Sequence, residues 1–309
     1  MKKTYIIIVT YNGMQWIQKC LKSCQDYPVI VVDNASTDNT VSFIKDTFPD
    51  IKVLEQEKNL GFGRANNLGI SYALSQGAEY VFLLNQDAYL QENALEILLE
   101  SHKQNPSYGV LSPIHLNGIG SRLDQSFSNY LSYKNNPDFF SDFVLKKELQ
   151  DIYDVPFVNA AGWLVSRSIL ETVGGFDPIF FHYGEDDNYC QRAIYHGFKI
   201  GVVPTAFLHH DREGRTRVGV HTLDPFLTLE RRLKIKFGNI NTDEEKEFST
   251  LLRKNKRALI KSFLRLRFSD LAVRRQEIHV TEKVMQEVAV SRRINTAKGM
   301  HYLENQGDK

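Results

Sequence analysis

The sequence predicts an α/β fold, a mostly parallel sheet flanked by helices with a helical extension at its C-terminal end. Three observations predict it. Short apolar, β-branched runs alternate with helix-period segments from Tyr5 to Val110. The residues directly after those runs are polar and chemically capable, as expected where the ligand crevice lies beyond the carboxyl ends of parallel strands. From about Phe226 the pattern becomes helical and strongly charged.

Tyr5 to Thr10 reads as the first strand, Gln15 to Cys24 as a helix, Val29 to Val32 as the second strand, Asn39 to Phe48 as a helix and Lys52 to Leu54 as the third strand. That is a βαβαβ unit. A polar loop leads to a helix from about Gly63 to Ser75, a strand from Tyr80 to Leu84, a helix from Glu92 to Gln104 and a strand near Val110. Ser121 to Val155 is polar, aromatic-rich and weakly periodic, which suits a mobile connection across the site more than a core element. Regular structure resumes at Phe157 to Val165, and a short strand is expected around Ala206 to Leu208. A boundary between Arg215 and Phe226 gives a first domain over 1–220, divided near residue 113, and a helical region over 221–309. No internal repeat is apparent.

With 309 residues, 42% of them hydrophobic and 24% charged, the chain is long enough to bury a large α/β core plus a smaller appendage. Its net charge of +1 provides no general basic field, so nucleic acid is not expected as a partner. Cys20, Cys24 and Cys190 form neither a disulfide framework nor a zinc site, and a reducing cytoplasm is the simplest setting. Met1-Lys2-Lys3 and the apolar run after it look like the start of a signal peptide. The run ends at Thr10-Tyr11-Asn12-Gly13 without a small-residue cleavage site, so it reads as a buried strand. The longest apolar runs, Tyr5 to Val9, Val29 to Val32 and Tyr80 to Leu84, fall far short of the roughly 20 residues that cross a bilayer. The expected location is cytoplasmic, free or peripheral on the inner face of the cell membrane.

Asp33-Asn34-Ala35-Ser36-Thr37-Asp38 follows a strand and precedes a helix. Capping explains Ser36 to Asp38, but gives no reason for Asp33, whose carboxylate can pair with a nucleobase or ribose. Asn59-Leu60-Gly61-Phe62-Gly63-Arg64-Ala65-Asn66-Asn67 sets two glycines, a cation and three amides ahead of a helix, which suits close approach to a phosphorylated ligand as well as a plain helix-leading loop. Its glycine spacing is not the dinucleotide fingerprint. Asn85-Gln86-Asp87 places a carboxylate where a Mg²⁺ or Mn²⁺ bridging a diphosphate can be held, and one carboxylate suffices because phosphate and water complete the shell. Three acids in Gly184-Glu185-Asp186-Asp187-Asn188 suit a helix N-terminus. The stretch before them, Gly174 to Tyr183, is too aromatic and glycine-rich for a solvated loop and looks like the wall of a sugar pocket. Of the adjacent His209 and His210, one can reach a metal, since neighbours on an extended strand point opposite ways.

Taken together, Val9-Thr10-Tyr11-Asn12, Val32 to Asp38, Asn59 to Asn67, Leu84-Asn85-Gln86-Asp87 and Gly174-Gly175-Phe176-Asp177 through Glu185-Asp186 resemble the inverting family-2 glycosyltransferases of the Rossmann-like GT-A fold. The likeness is strongest to bacterial rhamnosyl- and galactofuranosyl-transferases. The ordered matches span roughly the first 210 residues. The resemblance implies a nucleotide-binding part over 1–113 and an acceptor-binding part over 114–220. It implies Asp186 as catalytic base, and Asp87 with His209, or alternatively His210, as ligands of Mg²⁺ or Mn²⁺. The donor, a nucleotide-diphosphate sugar, would meet Thr10, Tyr11, Asn12, Asp33, Asn34, Asn59, Gly61, Phe62, Gly63, Arg64, Asn67, Asn85 and Gln86. A glycan or lipid-linked glycan acceptor would meet Trp163, Gly175, Phe176 and Glu185. Deoxythymidine-diphosphate rhamnose is the first expectation for the donor and a uridine-diphosphate hexose the second, in cell-surface polysaccharide synthesis. Two departures stand out: Asn85 replaces the first carboxylate of the family's D-x-D, and Asn188 the last acid of its E-D-x-D.

Arg253 to Arg275 holds nine Lys or Arg and one acid, interleaved with Leu259, Ile260, Phe263, Leu264, Leu266 and Phe268. A basic amphipathic helix of this kind lies on an anionic membrane surface, or packs its apolar stripe on the core or on a second copy of the chain. Two other functions compete with the transferase. A sugar-nucleotide pyrophosphorylase would carry a glycine-rich basic loop after the first strand, where this chain has Thr10-Tyr11-Asn12-Gly13. A non-catalytic GT-A scaffold acting as a binding module would have no need of Asp87 and Asp186.

Overall fold

The computed structural model describes residues 3–24, 27–212, 224–243 and 245–303. They form two compact units, one within Met1–Thr216 together with the segment from Lys298, the other within Arg217–Ala297. The boundary expected between Arg215 and Phe226 lies for the most part outside the described residues.

In the first unit the chain runs β1 (Thr4–Thr10), α1 (Ile17–Ser23), β2 (Val29–Asp33), α2 (Thr40–Thr47), β3 (Lys52–Glu55), α3 (Phe62–Ser75), β4 (Tyr80–Asn85), β5 (Ala88–Leu90), α4 (Ala94–Gln104), β6 (Tyr108–Asn117), α5 (Gln125–Tyr130), α6 (Pro137–Val144), β7 (Tyr153–Asp154), β8 (Gly162–Ser166), α7 (Arg167–Val173), α8 (Glu185–Tyr195) and β9 (Lys199–His210). The second unit holds α9 (Pro225–Phe237), α10 (Glu245–Leu264) and α11 (Phe268–Asn295).

The strands form one sheet in the order β3-β2-β1-β4-β8-β6-β9-β5, with β7 beside β9. β3, β2, β1 and β4 are parallel neighbours, as are β6 and β9. β8 runs antiparallel to β4 and β6, and β5 and β7 run antiparallel to β9. The sheet is therefore parallel on one side and mixed on the other. The reversal of β8 has a consequence for the site, because it sets the start of that strand, Gly162, opposite Leu84 at the carboxyl end of β4.

Helices cover both faces, which is why the strands read as unbroken apolar runs. Ile7, Val32 and Leu83 pack toward Ile70 and Trp163, while Ile6, Ile8, Phe82 and Leu84 pack toward Ile17, Leu95 and Leu98. α3 lies so close to β1 that a Cβ on Gly69 would stand 2.5 Å from Ile7 Cγ2.

Three elements depart from the sequence expectation. The 121–155 segment, expected as a mobile connection, folds into α5, α6 and β7 and buries Phe127, Leu131, Phe139 and Tyr153 in the core. Caps explain both helices: Asp124 accepts from the amide of Phe127, and Asn136 accepts from those of Asp138 and Phe139 with Pro137 in the first turn. Ala88 to Leu90, where the sequence shows no sign of a regular element, is a strand on β9, and β9 itself runs twelve residues rather than three. The segment from Lys298, placed by sequence in the helical region, belongs to the first unit. There Gly175 N donates to His301 O at 2.8 Å and Gly299 N to Thr172 O at 2.9 Å. Among the described residues no helix is long and apolar enough to cross a membrane.

Candidate active site

The loops after β1, β2 and β4 meet at the carboxyl edge of the parallel half. Gln86 joins the first to the third: Thr10 Oγ1 and Tyr11 N donate to its Oε1 at 2.7 and 3.0 Å, and its Nε2 donates to Tyr11 O at 3.2 Å. Asn12, with φ of 49°, accepts from Thr37 N at 2.8 Å, and its own amide donates to Ser36 Oγ at 2.9 Å. These contacts shape the edge and leave the Tyr11 ring exposed. Asp33 is buried. Its Oδ2 accepts from Ser36 N at 3.0 Å, while Oδ1 has no hydrogen-bond partner. A buried carboxylate oxygen without a donor is costly unless a ligand supplies one.

The segment 59–67 builds the site more than it lines it. Asn34 and Asn59 bond each other and the backbone of residues 60 and 61. Gly61 has φ of +82°, and a Cβ there would stand 1.9 Å from Phe181 O, so glycine answers a close approach of chain to chain. A Cβ on Gly63 would stand 2.9 Å from Phe176 Cβ. Asn67 pairs both ways with the Phe176 backbone, Nδ2 to O at 2.8 Å and N to Oδ1 at 2.7 Å, and the Phe62 ring meets that of Phe176 edge-on. Exposed Arg64 donates to Pro178 O at 3.1 Å. Of the residues expected as donor contacts, Asn34 and Asn59 brace the turn into α3, while Asn67, Gly61 and Gly63 seat the 174–181 loop on it.

Asp87 and His210 are both 1% exposed, with Asp87 Oδ1 and His210 Nε2 3.6 Å apart. That is too long for a hydrogen bond, and His210 Nε2 has no hydrogen-bond partner. His209, the ligand expected first, points the other way: its Nε2 meets Gln91 at 2.9 Å and its Nδ1 meets Gly118 O at 3.3 Å. The alternation of side chains along β9 gives the place beside Asp87 to His210. No group of three or more His, Cys, Asp or Glu gathers as a metal site among the described residues. Two inward groups nevertheless fit Mg²⁺ or Mn²⁺, which commonly takes few protein ligands and draws the rest from phosphate and water. Arg212 Nε donates to His210 Nδ1 at 3.2 Å and pairs with Asp124 Oδ2 at 3.2 Å; an accepting Nδ1 puts the neutral imidazole's proton on Nε2, so His210 ligates a cation through Nε2 only once Arg212 turns away. His115 lies behind, stacked on Phe127 and edge-on to His210. Burial, with His210 and Arg212 nearby, holds His115 well below the usual histidine range, so it is neutral.

Glu185 and Asp186 open α8 behind Gly184. Burial pushes the half-buried Asp186 carboxyl up, against the pull of amides at Asp187, Asp186, Ala160 and Gly184. Glu185 is buried, its Oε2 has no hydrogen-bond partner, and burial followed by the charge of Asp186 pushes it up to about 7. Ala160 leads into β8, and Ala161 O accepts from Asn85 N at 3.0 Å. The acid pair and the Asn85-Gln86-Asp87 turn are thereby tied to the same stretch of chain. The phenol of Tyr130 on α5 is pushed up to about 12 by burial first and the charge of Asp186 second.

The acceptor wall differs from expectation. Trp163 is fully buried between Phe176 and Tyr189, with ring centroids 6.0 and 5.6 Å away, and Phe176 is buried with it. Gly175 packs on Asn67. None of the three has a face left for an acceptor: Trp163 points into the core from β8, and Gly175 and Phe176 are packed on Asn67 of α3. Phe181 and Tyr183, by contrast, are exposed at the mouth of the loop. Asn188 accepts from Arg192 Nε at 3.0 Å, and Arg192 also donates to Val173 O at 2.9 Å and to Gly175 O. The departure at 188 therefore lies in the scaffold. Sequence reasoning missed Arg192, Arg212, Asp124, His115 and Tyr130; the Asp124 cap was readable, but nothing local links the others to the site.

The profile of Glycosyl transferase family 2 matches residues 5–174. The dTDP-rhamnosyl transferase RfbF of Shigella flexneri is 26% identical over 214 residues, 67% of this chain and 68% of that protein. The N-acetylglucosaminyl-diphospho-decaprenol L-rhamnosyltransferase of Mycobacterium tuberculosis is 25% identical over 264 residues, 74% of this chain and 84% of its own. The solved structure of S. aureus TarS residues 1–349 with UDP shares the fold, with a TM-score of 0.55 over 96% of this chain and 89% of that one at 18% identity. The family profile spans more than half of the sequence and the sheet carries the matching architecture, so the chain belongs to glycosyl transferase family 2 and is a glycosyltransferase of the GT-A fold.

Proposed function

We propose that the enzyme transfers one sugar, with inversion, from a nucleotide-diphosphate sugar to a hydroxyl of a glycan or lipid-linked glycan in cell-surface polysaccharide synthesis. The observation that carries this reading is the tie between Asp186, held at the Ala160 amide, and the Asn85 to Asp87 turn through Ala161 O. A base and a diphosphate-side carboxylate at neighbouring strand ends are what a single displacement needs.

Asp186 takes the proton of the acceptor hydroxyl as that oxygen forms its bond to the anomeric carbon. The bond from that carbon to the diphosphate oxygen breaks, and its electron pair leaves on the nucleoside diphosphate. Four amides favour the ionised form of Asp186, whereas Glu185 holds its proton up to about pH 7. Asp33 Oδ1 accepts from the base or ribose of the donor, and the exposed Tyr11 ring offers a stacking face. Mg²⁺ or Mn²⁺ held by Asp87 and His210 would neutralise charge growing on the leaving diphosphate. Arg212 adds a fixed positive charge on the same side.

Relatives named for rhamnosyl transfer make deoxythymidine-diphosphate rhamnose the first donor to try and a uridine-diphosphate hexose the second. A diphosphate-lipid-linked N-acetylhexosamine is the acceptor of choice. Proton NMR of the product tests the reading: the anomeric configuration is expected opposite to that of the donor. Retained configuration would refute Asp186 as a base acting in one displacement.

A further inference from the structure

We infer that the turn between α10 and α11 docks on an anionic lipid bilayer, independently of the catalytic reading. At this turn Ile260, Phe263, Leu264, Leu266 and Phe268 are all exposed, Leu264 at 74% and Leu266 at 72%. Ile260, Phe263 and Leu264 share one face of the last turn of α10, and Leu266 and Phe268 continue the apolar tip around the corner. Arg257, Lys261, Arg265 and Arg267 are exposed among them; of the nine cations from Arg253 to Arg275, Lys256 pairs with Glu282 and Arg274 with Glu277, away from the tip.

The turn's backbone adds an independent observation. Leu266 N donates to Phe263 O at 3.0 Å and Arg267 N to Ser262 O at 3.0 Å, the double bond of a Schellman C-cap. The residue in the left-handed position of that motif is usually glycine, yet here it is Leu266, with φ of 55°. A branched side chain in a left-handed backbone costs strain, and Leu266, 72% exposed, offsets little of it by burial. It makes sense as a group kept for insertion into lipid.

The charge decides between occupants. A second copy would bring Arg257, Lys261, Arg265 and Arg267 against the same four cations, whereas phosphate headgroups complement them while the apolar tip enters the acyl boundary. The depth suits a peripheral contact, since the tip is a few residues long.

The full chain, sedimented with vesicles of phosphatidylcholine alone and with added phosphatidylglycerol, is expected to bind the second and to be released by salt. Lys261→Glu, Arg265→Glu and Arg267→Glu together should weaken binding by about a hundred-fold or more. Leu266→Gly relieves the backbone strain, so it should raise the melting temperature and still lower vesicle binding several-fold. Failure of the wild type to bind anionic vesicles, or a Leu266→Gly variant that binds as well as wild type, overturns the inference. So does concentration-dependent self-association, abolished by Phe263→Ser with Leu264→Ser, in the absence of vesicle binding.

Discussion

Glu185 and Asp186 are neighbours in the chain, burial pushes both carboxyls up, and substitution separates their roles. Asp186→Asn keeps the shape and removes the base; transfer should fall about 10²–10⁴-fold with donor affinity by calorimetry little changed. A kcat near wild type would place the base elsewhere. Glu185 titrates near pH 7 in the folded protein instead of the 4.5 of a free side chain. Between those values the folded state holds more protons than the unfolded one, so stability falls as pH rises, by about 3 kcal/mol across the window. Glu185→Gln should flatten that slope in chemical denaturation series; an unchanged slope would mean that Glu185 is ionised throughout. Asp33→Asn removes the charge behind the unpartnered Oδ1 and should weaken nucleotide binding by about 1.5–3 kcal/mol, read by calorimetry without acceptor.

At the scale of elements, the 174–181 loop is the part of the site that its neighbours hold most firmly. Asn67→Ala leaves the buried amide and carbonyl of Phe176 unpaired, and should cost about 1–3 kcal/mol of stability, seen as an earlier thermal transition. If stability is unchanged, the clamp on α3 is dispensable. The strands β1, β2 and β4 were legible because their apolar runs are buried on both faces, and the polar clusters after them marked the site's edge. α5 and α6 were less legible, since their aromatic residues face the core at irregular spacing, although Asp124 and Asn136 with Pro137 were caps in plain view. The reversal of β8 was not legible at all, as no local pattern reports strand direction. Trp163 and Phe176 were expected as acceptor contacts from the family resemblance and their aromatic setting; their burial comes from packing on each other and on Tyr189, which no local pattern reports. His209 and His210 were separable only once the register of β9 on β5 put one of them beside Asp87.

For the molecule as a whole, the proposed reaction takes the parallel half of the sheet as its donor side, and β8 with α8 brings the acid pair to its carboxyl edge. The exposed basic tip belongs to the other unit. Metal use separates the two halves of the account: His210→Ala should raise the Mn²⁺ requirement by at least the about 10–100-fold typical of weaker perturbations, while His209→Ala should leave it near wild type. The most direct single measurement is nucleotide release by the purified protein across a panel of nucleotide sugars, with Mg²⁺, Mn²⁺ or a chelator, for wild type, Asp87→Ala and Asp186→Asn. The account predicts turnover of one donor that stops with the chelator and falls sharply in both variants, with donor binding kept in Asp186→Asn. Turnover that ignores the chelator and is equal in all three proteins would contradict it.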